Sequence, residues 1–158
     1  MKWSVNSTTG TLVAGGNGQG TGTNQLSWGQ GIYVDSDLSV YVANNNAHNV
    51  IKWLWGASLG TVVAGSSSGA PGSTSTLLKN PCSLILDAYS NLYVVDNNNH
   101  RIQMFCPGST NGTTVAGTGS QGSSATTLNY PCGIAFDSQL NMYVADTSNH
   151  RIQKFMKL

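Results

Sequence analysis

Three stretches of the sequence align almost without gaps at intervals of about fifty residues, and this repeat constrains the fold more than any other feature. The first apolar run of each unit ends in an aspartate, at Asp35, Asp87 and Asp137. A second run follows at Val40–Ala43, Leu92–Val95 and Met142–Ala145, and a third at Asn49–Trp53, Arg101–Phe105 and Arg151–Phe155. A fourth, Thr61–Gly65 or Thr114–Gly117, completes the first two units. Each run has the length of a short strand. Glycine, serine, threonine and asparagine crowd the gaps and glutamate is absent, a composition that favours strands and turns over helix. Four short strands per fifty residues is the pattern of a β-propeller blade, a sheet too small to stand alone and buried by its neighbours. The expected fold class is therefore all-β, with about three blades of four antiparallel strands.

The segments Tyr-Val-Val-Asp-Asn-Asn-Asn-His-Arg-Ile-Gln (93–103) and Tyr-Val-Ala-Asp-Thr-Ser-Asn-His-Arg-Ile-Gln (143–153) resemble the Asn-His-Leu signature of NHL repeats, with Arg-Ile after the histidine. The first unit departs from it, having Asn44 for the aspartate, Ala47 before His48, and Asn49-Val50 for Arg-Ile. The resemblance covers nearly the whole chain and implies a six-bladed ring of roughly twice this length. The chain is expected to form one segment over 1–158, with blade units near 1–15 (partial), 29–65, 81–117 and 131–155 (partial). Met1-Lys2-Trp3 parallels Ile51-Lys52-Trp53, and Thr11–Gly15 repeats the fourth-strand pattern, so the chain opens in mid-blade. It closes after a third strand. That offset leaves two expectations: further blades from a longer chain, or two copies joined head to tail.

His48, His100 and His150 recur at one repeat position, in the turn between second and third strands. Three such histidines would suit zinc, but their recurrence follows from the repeat, and the expected role is a turn residue. The resemblance includes one enzymatic branch, a zinc-bound propeller lyase acting on peptidyl-hydroxyglycine, and no motif carries its ligands onto this sequence. Neither a metal site nor a cofactor is expected. Asp96 with Arg101, and Asp146 with Arg151, are spaced to bridge adjacent strands as structural clamps. Asp35, Asp87 and Asp137 precede hairpin turns whose amides they can cap. The glycine-rich stretch Gly15–Gly20 lacks the helix and Lys-Ser/Thr pair of a phosphate loop. It and its counterparts are expected to be inter-blade surface loops pinned by Leu26, Leu77 and Leu128.

Cys82 and Cys132 occupy equivalent positions and Cys106 stands apart, so a bridge involving Cys106 is disfavoured; the pairing of the other two stays open. Asn6 and Asn111 head glycosylation sequons, which favour an extracellular or secreted setting. No apolar run is long enough for a membrane helix, so no membrane insertion is expected. A net charge of +1 without a basic block argues against nucleic acid, although some NHL relatives bind RNA. The leading expectation is a noncatalytic binding or scaffold module presenting propeller loops to a protein, peptide or glycan. Its candidate contact residues are Asn45, Asn46, His48, Asn98, His100, Ser148 and His150. The alternative is a metal-dependent lyase or hydrolase.

Overall fold

A computed structural model describes residues 2, 3 and 8–157 of the chain; the candidate glycosylation residue Asn6 lies outside them. β-Branched and aromatic residues fill the short runs and turn formers separate them, so each run becomes a strand and each gap a reversal. The strands are β1 (Lys2–Trp3), β2 (Gly10–Thr11), β3 (Gly29–Val34), β4 (Val40–Asn44), β5 (Asn49–Trp53), β6 (Thr61–Gly65), β7 (Pro81–Leu86), β8 (Leu92–Asp96), β9 (Arg101–Phe105), β10 (Gly112–Gly117), β11 (Gly133–Phe136), β12 (Met142–Asp146) and β13 (Arg151–Phe155). They form two four-stranded antiparallel sheets, β3-β4-β5-β6 and β7-β8-β9-β10, a three-stranded sheet β11-β12-β13, and the pair β1-β2. The architecture is all-β and propeller-type. Among the described residues no helix is long and apolar enough to cross a membrane.

Small sheets of this size are stabilised face to face. Tyr41, Ala43, Val50 and Ala64 of the first sheet share one core with Leu84, Leu86, Leu92, Val94 and Phe105 of the second. The next joint repeats the arrangement, with Val95, Ile102 and Ala116 meeting Met142 and Val144, flanked by Tyr93, Ile134, Phe136 and Phe155. Tyr93 and Phe136 meet edge to face across it, with ring centroids 4.9 Å apart. A smaller cluster of Val42, Ile51 and Trp53 sits on the outer side of the first sheet, where Ala14 and Leu26 cover part of it.

Each linker between blades folds back on itself. Backbone N–H groups of Gly20, Gly72 and Gly122 donate to the carbonyls of Leu26, Leu78 and Leu128. Leu78 and Leu128 are fully buried. Leu78, not Leu77, is therefore the pin of the second linker, because it stands three residues before Pro81 as Leu128 does before Pro131. The Leu77 side chain is only half-buried.

Candidate functional site

The turns between second and third strands lie at one end of the sheets and share one geometry. Residues Asn45–Ala47, Asn97–Asn99 and Thr147–Asn149 each make a single 3-10 turn, ended by His48, His100 and His150 in the left-handed region at φ 55°, 50° and 54°. Histidine tolerates that region better than β-branched residues, and the fixed backbone aims its ring at the next blade. His48 Nδ1 accepts the Asn80 N–H at 3.1 Å, and His100 Nδ1 accepts the Tyr130 N–H at 3.1 Å. The His100 ring also stands edge-on to Tyr130, centroids 4.5 Å apart. Asn45 Nδ2 donates to the Pro81 carbonyl at 3.2 Å and Asn97 Nδ2 to the Pro131 carbonyl at 2.8 Å, so these turns clasp neighbouring blades. Asn98 donates to Asn80 Oδ1 at 3.0 Å.

Of the seven candidate contact residues, Asn45, His48, Asn98 and His100 are half-buried at these joints. Asn46, Ser148 and His150 are exposed. Burial holds His48 below the usual imidazole range, with Lys79 adding to the effect and Asp96 opposing it. Burial does the same to His100, against the opposing pull of Asp146 and Asp96. Among the described residues no group of three His, Cys, Asp or Glu side chains converges on a point where an ion could sit, so the residues present do not fit the zinc of the lyase branch.

Asp96 and Asp146 end the second strands and are buried. Asp96 Oδ1 accepts the Lys79 N–H at 2.7 Å, and Oδ2 accepts Asn99 Nδ2 and Arg101 Nε, both at 2.8 Å. Arg101 then reaches the carbonyls of Ser73, Thr74 and Leu77, tethering the preceding linker. Asp146 and Arg151 make the same set with Asn129, Asn149, Ser123, Ser124 and Thr127. Burial raises the Asp96 carboxyl above its usual range despite these bonds. At Asp146 burial pulls the same way but is outweighed by Asn149, the Asn129 N–H and Arg151, which leave it lowered. In the first blade Asn44 replaces the carboxylate and still accepts the Ser27 N–H, at 2.6 Å. Asn49 replaces the arginine and donates to the Ser66 carbonyl instead, so that blade has no guanidinium tether.

At the opposite end, Asp35, Asp87 and Asp137 accept N–H groups two and four residues ahead, closing hairpins around Leu38, Ser90 and Leu140 at positive φ. Hydrogen bonds led by the Asn141 side chain lower Asp137 to about 2. Asn111 is exposed, its carboxamide oxygen accepting Ser75 Oγ at 2.9 Å. The three cysteines are free thiols. Cys82 is buried with Sγ 3.3 Å from the Pro131 carbonyl.

Two aromatic residues on the turn face escape a search for polar turn residues. Trp28 and Tyr130 occupy equivalent positions, share positive φ values of 60° and 47°, and expose their rings. The signal available in the sequence is an aromatic residue immediately before Gly29 and Pro131.

Residues 128–155 match the family model described as NHL repeat. No curated protein sequence matches the chain. Among solved structures, a Bacteroides thetaiotaomicron protein of unknown function superposes with a TM-score of 0.74 at 21% identity, over 96% of this chain and 40% of that one. An auxiliary nutrient binding protein from the same organism gives 0.64 at 23% identity, over 78% and 36%. Virginiamycin B lyase from Staphylococcus aureus gives 0.52 at 12% identity, over 86% and 43%. The chain thus spans less than half the length of each. Residues 128–155 are thus matched as an NHL repeat, and with the two preceding sheets built on the same plan the chain is a run of β-propeller-type blades.

Proposed function

We propose that the chain is a noncatalytic recognition module whose contact face is the end of the blades bearing the turns at 45–48, 97–100 and 147–150. The observation that carries this is the pairing of exposed aromatic rings with exposed amide and hydroxyl groups on a backbone held by cross-blade hydrogen bonds. Trp28 lies beside the Asn46 turn, since the Asn45 and Asn46 N–H groups donate to the carbonyls of Trp28 and Ser27. Tyr130 lies beside His100, and Ser148 beside Asn129. Rigid aromatic surfaces flanked by neutral hydrogen-bonding groups suit a glycan or a polar peptide or protein segment, and such a face gains affinity from its preorganisation. The weak net charge and the occupied arginines speak against nucleic acid as the partner. The sequons at Asn6 and Asn111 favour an extracellular setting, with the remaining blades of the ring supplied by more of the same repeat.

Glycan arrays and peptide libraries probed with the purified chain test the reading. A ligand is expected whose affinity falls about tenfold in Tyr130→Ala, the order of one lost aromatic contact. Absence of any ligand, or a ligand unaffected by both Trp28→Ala and Tyr130→Ala, overturns it. Stoichiometric zinc in elemental analysis, with lyase turnover lost in His100→Ala, would favour the enzymatic alternative instead.

A further inference from the structure

The linker that precedes the first full sheet, residues 16–28, is held differently from its two counterparts. Arg101 and Arg151 bind the carbonyls of the second and third linkers, and Asn99 and Asn149 add a bond to the Gly72 and Gly122 carbonyls. In the first blade Asn49 and Ala47 stand at those positions, and Asn49 donates to Ser66 rather than to the linker before it. Amide side chains of the linker itself hold the loop instead. Asn17 Nδ2 donates to the Asn24 carbonyl at 3.1 Å and to the Gly15 carbonyl at 3.4 Å, and Gln25 Nε2 donates to the Asn17 carbonyl at 3.1 Å. Asn17 therefore ties the start of the loop to its end.

Gly18 follows Asn17, and before a glycine, which has no Cβ, a side-chain carboxamide meets the next backbone nitrogen with the least hindrance. The sequence holds two Asn-Gly pairs, Asn17-Gly18 and Asn111-Gly112, and the structure separates them. Gly112 lies in β10 opposite Phe105, its N–H donating to the Ser75 carbonyl at 2.8 Å, while Asn111 Oδ1 accepts Ser75 Oγ. That nitrogen is engaged and its backbone fixed. Gly18 lies outside any strand at φ 81°, its N–H unbonded among the described residues, with open space where a Cβ would stand. Asn17 is exposed. The third linker, as long from Gly117 to Leu128 as the first from Gly15 to Leu26, is also exposed at residues 119 and 120 although sheets flank it on both sides. Exposure here belongs to the linker and not to its place in the chain.

We propose that Asn17 is a site of self-modification whose conversion releases the first linker. The Gly18 backbone nitrogen attacks Asn17 Cγ, and its hydrogen leaves with the side-chain nitrogen as ammonia, closing a five-membered succinimide. Water then opens the ring at either carbonyl, giving aspartate or isoaspartate; it is the only co-reactant. The product carries a carboxylate where the carboxamide donated, so both Nδ2 bonds are lost and a negative charge faces the two carbonyls. No arginine reaches this linker to hold it afterwards, and the chain's formal charge of +1 is cancelled by the new carboxylate. The reaction is independent of what the turn face binds.

Incubation of the folded chain in mildly alkaline buffer at body temperature, followed by peptide mass mapping and enzymatic methylation of isoaspartate, tests the proposal. The peptide bearing Asn17 is expected to lose ammonia and gain water while the peptide bearing Asn111 stays intact, and both are expected to convert in urea. Equal conversion at the two sites of the folded chain, or an Asn17 that converts only in urea, overturns it. Asn17→Asp stands in for the product. Protease cleavage within residues 16–28 should be about tenfold faster in that variant than in freshly prepared wild-type chain, the order expected for two lost hydrogen bonds, with no change at residues 66–80 and 118–130. Equal cleavage of variant and wild type within residues 16–28 overturns the release.

Discussion

Replacing Arg101 by alanine removes a buried guanidinium and leaves a buried carboxylate behind. Arg101 makes one charge-assisted bond to Asp96 and three to linker carbonyls, with its side chain 8% exposed. Arg151 makes the corresponding bonds at similar distances with its side chain 32% exposed. Breaking a buried pair from one side costs about 3–5 kcal/mol, because the remaining charge is poorly solvated. Where water can replace the lost partner the cost falls to about 1 kcal/mol. For a chain of this size that separates midpoint losses of roughly 10 °C for Arg101→Ala and 3 °C for Arg151→Ala. Thermal unfolding of the two variants side by side gives the two midpoint losses directly. Asp96 in the first variant keeps only the Lys79 N–H and Asn99, and burial already raises its carboxyl. Its folded-state pKa therefore exceeds the unfolded one, protonation relieves part of the cost, and the deficit narrows as pH falls towards the carboxylate range. Equal losses at the two sites would refute the argument that burial, rather than the bond inventory, sets the strength of this clamp.

The joints should weaken in mild acid, since only neutral imidazole has an acceptor at Nδ1. His48 and His100 are held below the usual value, so their stabilisation is complete above about pH 6.5 and declines as pH falls through the lower folded-state values. Urea midpoints between about pH 7.5 and 5.5 should show this slope, and an unchanged slope in the His48→Gln, His100→Gln double variant would count against it. Gly117 has φ +76°, and a Cβ there would run into the His100 carbonyl, whereas Gly108 at φ +75° faces open space. Gly117→Ala should cost about 1–3 kcal/mol more than Gly108→Ala in thermal unfolding, and equal effects would mean that backbone conformation alone decides. Burial, with Cys132 beside it, pushes the Cys82 thiol up, so a disulfide reagent should label Cys106 and Cys132 quickly and Cys82 only after unfolding. Three equally fast thiols would contradict the buried placement.

The sheets were legible because their signal is periodic: the same apolar runs recur at the same offsets, and each run is long enough to be a strand. The pin of the second linker was less so, since Leu77 and Leu78 are adjacent and only the distance to Pro81 tells which one faces the core. The positive φ of Trp28 and Tyr130 leaves no mark in residue type, because tryptophan and tyrosine have no preference for it. For the same reason polar turn residues read as solvent-facing, while the placement of Asn45, His48, Asn98 and His100 at the joints depends on a neighbour some thirty residues away. Such contacts are a property of how blades stack, which no local window contains.

The linker tethers also decide where a unit of this chain can be cut. Residues 66–80 lie between two sheets, yet Arg101, Asn99 and Asp96 bind them to the sheet that follows. The portable module is therefore loop and four strands together, residues 66–117, with its seams at Gly65 and Gly117. A gene that lengthened by tandem copying of that module, or an engineer who multiplied it, would carry every tether intact within each copy. The histidine and asparagine clasps and the apolar faces would have to be met anew at each added seam, and those are the parts that the two seams within this chain already share.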